Sequence, residues 1–116
     1  MISASFIFRK KQFDDAFHQL DAVIATYAPQ TSGYLGEESW SNQDNGQLCN
    51  VYYWESMEGL QQLMQHPAHL DAKAAQANWL DGYQIIISEV LRSYGDGGLL
   101  HPSQAVQHHP HDTSKL

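Results

Sequence analysis

The chain has almost no thiol chemistry and little positive charge. Among its 116 residues there is one cysteine, Cys49. A single thiol closes no internal disulfide, so the fold is expected to stand on packing alone in a reducing compartment, and we read the protein as cytoplasmic. Cys49 itself falls inside an expected strand, where it serves as a small buried hydrophobe. Lysine and arginine total 6 against 13 acidic residues, a formal net charge of −7. Nucleic acid and anionic membrane surfaces both require a basic footprint, so neither is expected as a partner. No apolar run approaches the ~18 residues of a membrane span. Residues 1–11 lack the basic-then-apolar order of a signal peptide. There is no glycine-rich phosphate cradle, no cysteine pair and no nucleophile motif.

What is present is a change of period along one domain-sized chain. Ile2, Ala4, Phe6 and Phe8 alternate with Ser3, Ser5 and Ile7, a strand signal. From Lys11 the spacing becomes helical: Phe13, Ala16, Phe17, Leu20, Ile24 and Tyr27 form one apolar stripe that Pro29 ends. Ser32-Gly33 is a turn. A second strand follows, with Tyr34, Gly36, Glu38 and Trp40 expected on one face. Asn45-Gly46 sits in a hairpin connection, and Leu48 to Glu55 is the return strand. Ser56 is an N-cap for a helix over residues 57–65. Pro67 opens a second helical segment carrying Ala68, Ala72, Ala75 and Trp79, which Gly82 breaks. A last strand is expected over residues 83–94. Residues 1–95 form the domain; residues 96–116 read as a polar, histidine-containing, mostly flexible tail in which Leu99-Leu100 offers a local docking point.

The order β-α-β-β-α-β, with right-handed crossovers, puts both helices on one face of a ferredoxin-like, four-stranded antiparallel sheet. The fold class is therefore α+β. Aromatic and branched residues on both strand faces leave the second face apolar and uncovered. A second copy of the chain covers it, so a homodimer is the expected assembly.

These residues resemble the antibiotic biosynthesis monooxygenase family of dimeric α+β barrels. The resemblance rests on Ser32-Gly33-Tyr34-Leu35-Gly36, Tyr53-Trp54-Glu55-Ser56-Met57-Glu58-Gly59-Leu60, His66-Pro67-Ala68-His69, Ala72-Lys73 and Glu89-Val90-Leu91-Arg92-Ser93-Tyr94-Gly95. It implies a dimeric barrel and an oxygenase that uses no cofactor, acting on an aromatic polyphenol or quinol. Fold alone does not fix that activity. A non-catalytic barrel binding a hydrophobic small molecule is the alternative. The heme-degrading branch of the fold is disfavoured: the first strand lacks the asparagine it uses, and the matching helix positions read Leu63 and Lys73.

Oxygenation without a cofactor needs a base, a water-excluding pocket and donors for the developing anion. His69 and His66 are the candidate catalytic bases, because imidazole titrates near neutral pH. Trp54, Trp79, Tyr83, Tyr52 and Tyr34 are candidate substrate-binding aromatics, and Glu38 is a candidate base or anion partner. Each has an ordinary competing role: a helix cap for His66, sheet packing for His69, core or dimer packing for the aromatics, a solvated edge for Glu38. Arg92 is expected to pair with Glu89 or Glu37. No metal site is expected, since His101, His108, His109 and His111 lie in a tail without fixed geometry.

Overall fold

The computed structural model describes residues 1–106, with Ala105 and Val106 described in backbone only. His108, His109 and His111 lie outside the described residues. Strand β1 (Ile2–Lys10) leads to helix α1 (Asp15–Tyr27), the hairpin β2 (Tyr34–Asn42) and β3 (Gln47–Trp54), helices α2 (Met57–Gln65) and α3 (Pro67–Ala75), and strand β4 (Leu80–Glu89). The sheet order is β2-β3-β1-β4, with every neighbouring pair antiparallel. This is the expected α+β, ferredoxin-like arrangement. Among the described residues no helix is long and apolar enough to cross a membrane.

Local chemistry fixes the ends. The Asp14 carboxylate accepts from the Phe17 amide at 2.9 Å, so α1 starts later than the apolar stripe suggests. Pro29 ends the α-helix as expected, inside a short 3-10 turn over Ala28–Gln30. Ser56 caps α2 and His66 caps α3.

Two expectations need correction. The helix before β4 does not run to Gly82: α3 stops at Ala75, a 3-10 turn spans Gln76–Asn78, and β4 already begins at Leu80. Gly82 sits inside the strand with φ +93°, next to the register shift opposite Phe8 and Lys10. A glycine at positive φ reads as a helix stop in sequence, but here it accommodates a bulge. The strand also ends at Glu89 rather than Tyr94.

The second correction concerns β2. Tyr34 pairs with Trp54, but Gly36 pairs with Tyr53 and Glu37 with Tyr52. The shift between Tyr34 and Gly36 inserts one residue and exchanges the faces beyond it. Tyr34 and Glu37 therefore face the helices, whereas Gly36, Glu38 and Trp40 fall on the opposite, open face.

The core lies between the sheet and the helices. Ala4, Ala28, Trp54, Leu60 and Leu63 form its buried centre. Trp54 is fully buried, and its indole N–H donates to the Thr31 hydroxyl at 2.7 Å. On the open face Trp40 (64 % exposed) and Ile86 (45 %) remain uncovered.

Candidate functional site

A cavity of about 240 Å³ lies between the sheet and the helix layer. Its floor is the helix-side face of β1, β3 and β4, contributed by Ala4, Phe6, Phe8, Asn50, Tyr52, Trp54, Tyr83, Ile85 and Ile87. Its roof comes from Leu20 and Asp21 of α1, Leu60 and Leu63 of α2, His69, Ala72 and Lys73 of α3, and Gln76 and Trp79 beyond it. The alternation of β1 and β3 makes the floor, since Phe6 pairs with Asn50 and Ala4 with Tyr52. An apolar cavity of about 150 Å³ takes benzene, so this space accommodates a larger, fused-ring molecule. Aromatic rings give it flat walls: Tyr52 stacks on Trp54 at 5.8 Å, and Trp79 meets Phe17 edge-on at 5.5 Å.

Of the candidate residues, His69, Trp54, Trp79, Tyr52 and Tyr83 line this cavity. His69 offers a buried ring nitrogen, Nδ1, with no hydrogen-bond partner among the described residues. Burial holds its imidazole below the usual pKa, the charges of Lys73 and His66 add to that, and a backbone contact at Met64 opposes it. The ring is thus neutral at neutral pH and can accept a proton. Burial also pushes the Tyr52 phenol upward, with Glu37 and Asp21 adding to the shift, so it stays protonated and can donate. Trp54 contributes only its ring face, because Thr31 occupies its N–H.

Three candidates stand elsewhere. His66 is not among the lining residues; its Nδ1 accepts from the Ala68 amide at 3.0 Å and its ring packs on Tyr27 at 4.3 Å. A nitrogen committed to a helix cap is not free to take a substrate proton, so the cap is the better account of His66. Tyr34 lies on the helix-side face outside the lining, meeting Trp54 edge-on at 6.3 Å. Burial, followed by Glu37, pushes its phenol up to about 12. Glu38 is on the open face because of the β2 bulge.

There Glu38 accepts from the Tyr53 hydroxyl at 2.7 Å and pairs with His101 Nε2 at 2.9 Å. His101 Nδ1 meets the Ser103 hydroxyl at 2.7 Å, and that hydroxyl meets Ser93 at 2.8 Å. The segment after residue 96 thus docks through His101, Pro102 and Ser103, whereas Leu99 and Leu100 are exposed. Arg92 donates to the Tyr94 hydroxyl at 3.4 Å and, among the described residues, forms no ion pair with Glu89 or Glu37.

Burial raises the Glu38 pKa, but the hydrogen bonds from Tyr53 and His101 and the charge of His101 outweigh it, leaving the carboxyl below its usual value. A depressed native pKa contributes stability that is complete above the unfolded value and disappears as pH falls through the native one. Glu38→Gln should therefore lower the melting temperature at pH 6, with the difference from wild type shrinking in melts taken stepwise to pH 3. A difference that grows on acidification would contradict this contact.

Five polar residues of the lining were not among the candidate site residues: Ser5, Asp21, Asn50, Lys73 and Gln76. Two left a trace. Asn50 interrupts the apolar alternation of Leu48, Tyr52 and Trp54, and Lys73 follows His69 by four residues, which places both on one helix face.

No family model matches the chain. Among known sequences it is 27 % identical over 84 residues to the uncharacterized protein YqjZ of Bacillus subtilis (strain 168), covering 72 % of this chain and 73 % of that one. The fold matches SnoaB from Streptomyces nogalater, a cofactor-independent oxygenase, with TM-score 0.62 at 12 % identity over 79 % of this chain and 94 % of that one. It also matches a Nitrosomonas europaea protein named as a candidate antibiotic biosynthesis monooxygenase, with TM-score 0.61 at 12 % identity over 78 % and 99 %. At these identities the likeness establishes a common fold.

Proposed function

We propose that this chain, which has the fold of the antibiotic biosynthesis monooxygenases, is a cofactor-independent oxygenase acting on an electron-rich aromatic in the cavity beneath α3. One observation supports the reading: the His69 imidazole belongs to the aromatic-walled lining of that cavity, and its buried Nδ1 has no hydrogen-bond partner among the described residues. His69 removes a proton from an anthrone- or quinol-type ring. The resulting anion is electron-rich enough to pass an electron to dioxygen. For an anthrone methylene the balance is CH2 + O2 → C=O + H2O, with one oxygen atom in the product and one in water. For a quinol the two hydrogens leave as H2O2. Tyr52 and the amide group of Asn50 supply donors for the developing anion; the Asn50 carbonyl already accepts from the Ser39 hydroxyl at 2.8 Å.

The working form is a homodimer closed over the open sheet face, where Trp40 and Ile86 are exposed. Sedimentation velocity at micromolar concentration should show the dimer, and Ile86→Asp should give a folded monomer. A wild-type monomer would remove the barrel from the account. The activity is tested by oxygen uptake with a panel of anthrones, naphthoquinols and benzoquinols. Uptake well above the buffer rate is expected with at least one of them. Tight binding without uptake would favour the alternative, a barrel that holds a hydrophobic molecule without turnover.

A further inference from the structure

We infer that Lys73 makes the cavity selective for aromatic ligands bearing an anionic group, such as a ring carboxylate, held on its α3 side. The inference rests on the cavity being a binding site for aromatics, and it goes further by naming the substrate class.

The chain has only 6 Lys and Arg, and Lys73 is the only one that lines the cavity among the described residues. The other basic residues in that range, Arg9, Lys10, Lys11 and Arg92, lie outside the lining. Lys73 is exposed on α3 while contributing to the cavity lining, so its ammonium can reach solvent and a ligand seated in the cavity alike. Among the described residues the sole ion pair is His101 with Glu38, far along the chain on the open face. Lys73 and Asp21 share the lining without pairing to each other.

Their neighbours show where each belongs. Lys73 follows His69 by one helical turn, and its charge acts on that ring. Glu37 and then Asp21 act on the Tyr52 hydroxyl. The cavity therefore carries its cation on α3, one turn from His69, and a carboxylate on α1, with apolar and aromatic surface making up most of the lining. A planar ligand with a carboxylate at one end and a hydroxyl at the other matches this polarity. Its carboxylate meets the Lys73 ammonium, and its hydroxyl lies toward Tyr52 and Asp21. A charge-assisted contact of this kind fixes orientation as well as affinity. It also sets which ring position faces His69.

The test compares two probes that are not quinols: 2-naphthol and 6-hydroxy-2-naphthoate, whose carboxylate lies at the far end of the ring system from its hydroxyl. Affinities are measured by calorimetry on the full chain. Wild type should bind the carboxylate about tenfold more tightly, roughly the effect of one charge-assisted contact at a partly exposed site. Lys73→Met should abolish that preference, bringing the two affinities within about twofold of each other. Lys73→Arg should retain it, and Asp21→Asn should strengthen carboxylate binding. Raising the salt concentration should narrow the preference, because the ammonium is exposed to solvent. Equal affinity for both probes in wild type, or a preference that survives Lys73→Met, would overturn the inference and leave the aromatic site standing. Binding of neither probe would overturn both.

Discussion

Trp54→Ala should cost the fold about 3–5 kcal/mol, the range for deleting a buried indole. Trp54 is fully buried at the end of β3, between the sheet and α2. Its removal also deprives the Thr31 hydroxyl of the indole N–H that donates to it at 2.7 Å. Denaturant melts followed by circular dichroism measure this, with an unchanged m-value distinguishing lost stability from a change in the unfolded state. Trp54→Phe keeps most of the volume and should lose less than half as much. Gly59→Ala is the companion test. A methyl there meets the Ser32 carbonyl and the Trp54 ring. Alanine is the better helix former by about 1 kcal/mol, so propensity alone says the variant gains stability. Overpacking against a backbone carbonyl costs about 1–3 kcal/mol or more, so a net loss is expected. A stabilised Gly59→Ala would show that α2 is free to move off the sheet, contrary to the packing described.

His69→Ala should lower kcat/KM by about 10²–10⁴, the usual contribution of a positioned general base. His66→Ala should leave kcat/KM nearly unchanged and cost about 1 kcal/mol of stability through the lost cap on α3. The two histidines are three residues apart and share a residue type, so the contrast isolates position from chemistry. The pH profile adds a second readout. A base must be unprotonated to work, so kcat/KM falls as pH drops through the His69 pKa. Burial places that pKa below the ordinary imidazole value, and the acid limb should sit below ~6.5. Equal losses in the two variants would mean that helix α3 matters only as a scaffold.

Much of the architecture was legible because periods of two and of about 3.6 residues are imposed by burial, and burial leaves its pattern in the sequence. The stripe from Phe13 to Tyr27 located α1 and its end but not its start at Asp15, and the Ser56 cap located the start of α2. The bulge in β2 was not legible. It hinges on a glycine at φ +142° between two otherwise regular alternating halves, and a one-residue slip moved Glu38 away from Tyr34. Gly82 misled for a related reason: positive φ serves a bulge as readily as a helix stop. In the site, His69, Trp54, Trp79, Tyr52 and Tyr83 could be chosen from residue type and line the cavity, but Tyr34, chosen on the same ground, does not. His66 could not be separated from His69 without knowing which ring nitrogen the Ala68 amide uses. The docking of His101 on Glu38 joins residues 63 apart in sequence, a pairing that no local pattern encodes.

The most direct measurement is oxygen consumption on the best substrate of the panel, comparing wild type with Ala72→Trp and His101→Ala. Ala72 lines the cavity beneath α3, and an indole there fills the space a substrate needs. His101 lies against the open face on Glu38. A folded, dimeric Ala72→Trp should lose nearly all uptake, while His101→Ala keeps the wild-type rate. Full activity in Ala72→Trp with loss in His101→Ala would place the chemistry on the open face and contradict the site assigned to His69.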